Sequence, residues 1–222
     1  MGREVTLKEI EGILKDCVNF KSPFPDGWTI EFFLSFWDIL GPDVLGMMEE
    51  SHCKGHIYGA LNSTFIALIP KKAKPISFDD YRPISLCNVI YKIISKTIVE
   101  RLNYYLSKVI TNEQFGFLSN RHILDVVGIT QEGIHSIKAK KLSAIMLKMD
   151  LIKAYDYIDW VFLCLILLHV GMGYDVVAWI MAWVSSVHFF IFVNGSPTGF
   201  FQGNRGLRQG CPLSPLLFLM VC

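Results

Sequence analysis

Asp150 is the residue of this chain best placed to do chemistry. It follows Ser143–Met149, an apolar run whose length and composition predict a buried strand, so the carboxylate stands at a strand's carboxyl end. A carboxylate there needs a stabilising partner: a divalent metal is one solution, a helix cap another. Asp156 and Asp159 come soon after and are placed to cap a helix starting at Trp160, and Lys153 can pair with any of the three. A second chemical stretch is the loop from Gly203 to Pro215. Its part from Arg205 to Pro215 combines the guanidinium groups of Arg205 and Arg208, the amide of Gln209, and two glycines that let backbone approach a ligand. That composition suits phosphate and nucleotide handling, and it also suits a plain surface turn.

Other chemistries find little support. The six histidines form no close pair except His52 and His56, and no carboxylate lies at matching spacing, so they read as structural. The six cysteines show no CxxC and no zinc spacing, which fits a reduced intracellular protein. No GxSxG, P-loop or paired catalytic Cys/His is visible.

The elements that must position these residues alternate between helix and strand. Leu7–Val18 has helical periodicity, and Lys21 to Gly27 is a rigid turn with two prolines. Thr29–Leu40 predicts a helix stopped by Gly41-Pro42, with Asp43 capping the next one. Thr64–Ile69 reads as a buried strand ended by Pro70. A basic loop then leads through Asp79 to Pro83 into a long helix, Asn88–Ser107, which carries Lys92, Lys96, Arg101 and Lys108. Gln114 to Phe117 is a junction before a helix over Asp125–Ile137 and a basic turn at Lys138–Lys141. After the Asp150 strand come a helix over Trp160–His169, an uncharged helix, a strand over His188–Val193, a turn at Asn194-Gly195, and an apolar helix from Leu216.

With 222 residues and 52% hydrophobic composition the chain buries a substantial core and is too apolar for disorder. The net charge of +1 hides a split: through Pro70 there are 5 Lys/Arg against 10 Asp/Glu, and afterwards 16 against 10. The later part, basic by +6, permits a polyanionic partner, though a solvated lysine face would give the same count. The amphipathic N-terminus carries no secretory signal, while Met1-Gly2 followed by Thr6 formally fits a myristoylation pattern. No charge occurs between Asp175 and Arg205, so Val176–Val193 is just long enough to span a bilayer. Ser185, Ser186 and His188 in its middle and the Asn194-Gly195 turn favour helix, strand and hairpin over a membrane span.

Taken together, six ordered strings resemble the reverse transcriptase of non-LTR (LINE-type) retrotransposons, particularly those of plants. They are Lys21-Ser22-Pro23-Phe24-Pro25-Asp26-Gly27, Leu68-Ile69-Pro70-Lys71, Tyr81 to Asn88, Gln114-Phe115-Gly116-Phe117, Asp150 to Asp156, and Gly206 to Pro215. The resemblance implies an α/β (α+β), helix-rich right-hand polymerase: an N-terminal extension over 1–62, fingers over 63–142, and part of the palm over 143–222. It implies RNA template, DNA primer and deoxynucleotides as partners, a nuclear or cytoplasmic site of action, and no membrane. It also implies Mg²⁺, with Mn²⁺ as a substitute, activating the primer 3′-hydroxyl and neutralising the triphosphate. Asp150 matches the first metal-binding aspartate, with the Leu151 backbone carbonyl beside it. Tyr155 matches the aromatic that blocks a ribose 2′-hydroxyl, Gln209 the glutamine lining the nucleotide, and Lys71 and Arg82 the fingers residues on the triphosphate. Lys92, Lys96, Arg205 and Arg208 are the expected nucleic-acid contacts.

Two departures stand out. Phe24 stands where the family's turn has glycine. The second acidic motif, an aromatic-x-Asp-Asp hairpin, belongs after the helix beginning near Leu216, and no Asp or Glu follows Asp175. Asp79-Asp80, the only adjacent pair of aspartates, lies in the loop before Arg82 and is a poor substitute. The expectation is therefore a truncated polymerase domain, inactive by itself, with a noncatalytic nucleic-acid-binding remnant as the rival reading.

Overall fold

Thr6, in extended backbone, accepts the Glu9 N–H and starts α1 (Leu7–Asp16), which buries Ile10, Ile13 and Leu14 along one stripe. The computed structural model describes residues 2–17, 24–55, 57–111, 113–118, 121–193 and 196–221. Lys21, Ser22 and Pro23 of the first turn motif, and the Asn194-Gly195 turn, lie outside the described residues.

The next helices depart from the sequence expectation. The break falls at Phe36, between α2 (Ile30–Ser35) and α3 (Trp37–Lys54), and α3 runs straight through Gly41-Pro42 rather than stopping there. Pro42 sits in the second turn of α3, so it forgoes a single backbone bond, and Gly41 has no Cβ to collide with the proline ring. A Cβ at Gly41 would also meet the Trp37 ring at 3.0 Å.

A short α4 (Gly59–Asn62) hands over to β1 (Ser63–Pro70), which forms a hairpin with β2 (Tyr81–Cys87) and leads to α5 (Val89–Val109). Asp26 caps α5 from a distance, its carboxylate accepting the Val89 N–H at 3.0 Å, where the helix dipole favours negative charge. Helix α5 is pinned to α1 by Arg101, which binds both carboxylate oxygens of Glu9 at 2.8 and 2.9 Å and donates to the carbonyls of Arg3 and Glu4.

Helices α6 (Ile123–Ala139), α7 (Trp160–His169) and α8 (Tyr174–Ser185) precede β3 (His188–Val193), the two-residue strands β4 (Ser196–Pro197) and β5 (Phe201–Gln202), and α9 (Ser214–Val221). In the sheet β1 is central, antiparallel to β2 and parallel to β3, with β4 and β5 both pairing β3. One contiguous core takes Ile10 and Leu14 from α1, Ile98 and Leu102 from α5, Leu163 and Leu167 from α7, Trp179 and Trp183 from α8, and Leu217 from α9. The mixed α/β fold expected from the sequence is what forms. Among the described residues no helix is long and apolar enough to cross a membrane.

The strand expected over Ser143–Met149 does not form. Residues 142–150 have no regular structure, and Ile145 is 97% exposed, with Met146, Leu147 and Met149 also open to solvent. Apolar composition alone does not make a strand: its N–H and C=O groups need a neighbouring ladder. Among the described residues none of the five strands pairs with this segment.

Candidate functional site

The loop that follows β5 is built by two glycines at which any side chain would be strained. Gly206 (φ +86°) donates its N–H to the Ile158 carbonyl at 2.7 Å, and Leu207 donates to the Tyr155 carbonyl at 2.8 Å. The Gln209 carbonyl accepts the Ser85 N–H of β2 at 2.7 Å, and Gly210 (φ +98°) follows. A Cβ at Gly206 would lie 3.1 Å from the Asp156 carbonyl oxygen, and one at Gly210 3.1 Å from that of Ser85. Positive φ and close backbone approach both demand glycine here. The loop is thus bolted between the short 3₁₀ turn Ala154–Tyr157 and β2.

This bolting brackets a cleft of about 350 Å³ lined by Pro83, Ser85, Asp156, Arg205, Arg208 and Gln209, among others. Gln209 reaches Asp156 through its amide at 3.5 Å. Arg205 is exposed and lies 5.3 Å over the Tyr157 ring. Asp156 does not cap α7 as its spacing suggested; Asp159 alone does so, accepting the Phe162 N–H at 2.9 Å.

Arg208 corrects the sequence expectation most sharply. Expected among the nucleic-acid contacts, it is only 7% exposed and faces the core. It donates to Asn62 Oδ1 at 2.8 Å, Thr64 Oγ1 at 3.2 Å and the Trp183 carbonyl at 2.9 Å, and stacks 3.9 Å over the Tyr91 ring. Among the described residues no carboxylate pairs with it. A planar guanidinium tolerates this because its fork fits several neutral acceptors and an aromatic face at once. Tyr91 in turn meets Cys211 Sγ at 2.9 Å, and burial raises the Tyr91 hydroxyl far above its ordinary pKa. Burial likewise pushes the Cys87 thiol up to about 11, so it stays protonated and inert. Asn62, Tyr91 and Trp183 carried no signal in the sequence; only the contact of distant segments makes them a nest for Arg208.

The remaining expected site residues are not gathered into the cleft. Asp150 and Leu151 lie on the exposed irregular segment. Lys71 closes the β1–β2 loop, its ammonium donating to the Asp79 carbonyl at 2.8 Å. Arg82 is exposed and opposite Ile69, and strand pleating sends it to the face away from Pro83 and Ser85, which line the cleft. Lys92 and Lys96 are half-buried one turn apart on α5, with Lys92 held 4.5 Å over the Phe24 ring. Tyr155 stacks on Phe218 at 4.9 Å. The tip of the β1–β2 hairpin is joined to the segment after Asp150 by Lys153, which donates to Asp79 at 2.6 Å and lowers the pKa of that carboxyl.

These residues do not by themselves hold the two metal ions that the resemblance implies. No group of three His, Cys, Asp or Glu side chains converges among the described residues, and Asp150 is not among the residues lining the cleft that holds Asp156.

Comparison with known proteins places the chain in a family. The family model described as reverse transcriptase (RNA-dependent DNA polymerase) matches residues 69–222. An uncharacterized 149 kDa protein of transposon TX1 from Xenopus laevis is 35% identical over 214 residues, 96% of this chain and 16% of that protein. A retrovirus-related Pol polyprotein from the type-1 retrotransposable element R2 of Popillia japonica is 25% identical over 170 residues, 74% of this chain and 23% of that protein. An uncharacterized mitochondrial protein of Arabidopsis thaliana is 51% identical over 35 residues, 15% of this chain and 29% of that protein. The chain therefore spans less than a third of each of these relatives, and by the family match over residues 69–222 it belongs to the reverse transcriptases, with non-LTR retrotransposon proteins among its relatives.

Proposed function

We propose that the chain serves as the fingers and part of the palm of an RNA-directed DNA polymerase from a plant-type LINE element. Residues 1–62 extend the fingers, 63–142 form them, and 143–222 begin the palm. The full polymerase would copy an RNA template by adding deoxynucleotides to a DNA primer, in the nucleus or cytoplasm, with Mg²⁺ or Mn²⁺. One observation carries this reading: two positive-φ glycines fix the 206–210 loop so that Gln209 and Asp156 share a cleft with the cation Arg205. A pocket with an amide, a carboxylate and an arginine suits a nucleotide, whose base, sugar and phosphates call for those groups. The resemblance assigns nucleotide contacts to Gln209, Lys71, Arg82 and Tyr155 and metal contacts to Asp150 and the Leu151 carbonyl.

That no three metal-ligating side chains converge among the described residues favours a second reading for the 222 residues alone: a noncatalytic nucleic-acid-binding unit. Two measurements test them, and the second separates them. The chain should bind an RNA–DNA primer–template with affinity that falls steeply as salt rises, because Lys and Arg displace condensed counterions. It should show no primer extension with Mg²⁺ or Mn²⁺. Template-dependent extension abolished by Asp150→Asn would establish that these residues are catalytically complete and reject the binding-only reading. Salt-insensitive binding, or none, would reject both.

A further inference from the structure

A second hollow, of about 450 Å³, lies among the helices that precede β1, mostly ahead of the stretch matched by the family model. Phe32 and Phe33 of α2 and Leu40, Val44 and Met47 of α3 give it apolar walls, and Asp26, Trp28 and Asp43 also line it. Leu40, Asp43, Val44 and Met47 are three and four residues apart, so they share one face of α3. Trp28, Phe32 and Phe36 follow one another as a ladder, with ring centres 4.4 and 5.0 Å apart. Much of this apolar surface is open: Trp28 is 47% exposed, Phe36 48%, and Ile39, one turn before Asp43, 70%.

Charge selects the occupant. From Phe24 to Cys53 the chain carries six carboxylates and no Lys or Arg. Of the two acids in the groove, Asp26 accepts the N–H groups of Trp28 and Val89. Asp43 is exposed and, among the described residues, belongs to no ion pair. Lys54, at the end of α3, is held by Glu50 at 2.9 Å. An apolar hollow in a negative field attracts a basic partner and repels a polyanion, so a nucleic acid does not suit it. None of the residues lining it belongs to a strand, so no sheet edge offers hydrogen bonds to an extended peptide. A helix, which satisfies its own N–H and C=O groups, is the form of polypeptide that fits.

We infer that this groove docks a basic amphipathic helix of a partner protein, with apolar side chains seated on Trp28 and Phe32 and a Lys or Arg over Asp43. This docking goes beyond the polymerase reading and stands or falls separately from it. The test is fluorescence anisotropy of the 222-residue chain with a fluorescein-labelled, helix-forming peptide of Leu, Ala, Lys and Arg whose Leu residues recur at i, i+3, i+4 and i+7. A second peptide carries Glu in place of every Lys and Arg. The basic peptide should bind and the acidic one should not. Trp28→Ala and Asp43→Lys should each weaken binding about tenfold, the scale of losing one anchor of an interface. Glu49→Lys makes the same charge change on the opposite side of α3, at an exposed position outside the groove, and should leave affinity within about twofold of wild type.

Absence of binding by the basic peptide overturns the docking site. Equal weakening by Asp43→Lys and Glu49→Lys reduces the effect to diffuse attraction and overturns it too, as does full affinity in a folded Trp28→Ala. A wild-type dimer in sedimentation that Trp28→Ala dissolves, with peptide affinity unchanged, assigns the groove to self-association and rejects the partner helix. Should Trp28→Ala lose its far-UV circular dichroism, the two lysine variants decide: selective loss in Asp43→Lys supports docking, and no loss rejects it.

Discussion

The guanidinium of Arg208 is buried 3.9 Å over the ring of Tyr91, at the back of the cleft that its neighbours Gln209 and Arg205 also line. One side chain of the loop is thus the anchor for the others. Arg208→Ala would leave Asn62 Oδ1 without this donor and open a void beside Tyr91. Global stability should fall by about 3 kcal/mol or more, as for other losses of a buried hydrogen-bonded charge. Urea unfolding followed by tryptophan fluorescence checks it, and Arg208→Lys, which cannot span the same acceptors, should recover little.

Gly206→Ala and Gly210→Ala should each cost about 1–3 kcal/mol, because each forces a Cβ into positive φ and against a backbone oxygen at 3.1 Å. Gly199, whose Cβ would meet nothing within 4 Å and whose φ is ordinary, is the control, and Gly199→Ala should be near neutral. Thermal melts of the three variants compare them directly.

The Glu9–Arg101 pair makes stability pH-dependent in a defined direction. The hydrogen bond from Arg101 holds the Glu9 carboxyl below its ordinary value of 4.5, and Glu9 is mostly enclosed, with a side chain 15% exposed. A carboxyl whose folded pKa is depressed contributes stability in full above its unfolded pKa and loses it as pH falls through the folded one. Chemical denaturation between pH 6 and 3 should therefore show a loss that Glu9→Gln abolishes. At neutral pH Glu9→Gln should itself cost stability, because the buried Arg101 loses its counter-charge.

Tyr155 stacks on Phe218 and packs against the core, so truncation should be felt by the fold. Tyr155→Ala should destabilise by about 2 kcal/mol or more, somewhat below the cost of deleting a fully enclosed aromatic. Tyr155→Phe should be nearly neutral in stability. In a polymerase completed with its remaining palm, a sugar-gating Tyr155 predicts ribonucleotide incorporation in Tyr155→Ala with deoxynucleotide incorporation retained. Equal loss of both, alongside a lower melting temperature, assigns Tyr155 to packing alone.

Much of the framework was legible in the sequence because its causes are local. The periodicity of α1, the helical pattern of α5, the apolar runs of α7, α8, β1 and β3, and the cap at Asp159 all depend on neighbours within a turn or a strand. The ordered strings from Leu68 to Pro215 were enough to indicate the family. Helix α3 was misread at Pro42 because a proline reads as a stop, and its harmlessness depends on its place in the second turn and on the missing Cβ at Gly41.

What only the tertiary structure decided depends on long-range partners. Arg208 and Arg205 are three residues apart and chemically identical, yet one is buried because Asn62, Thr64, Tyr91 and Trp183 converge on it and the other is exposed. Arg82 and its neighbour Pro83 fall on opposite faces of β2, and only Pro83 lines the cleft, because pleating, not sequence distance, sets the face. Residues 143–149 have the composition of a strand and stay irregular because hydrogen-bonding groups need a ladder beside them, which no local pattern supplies.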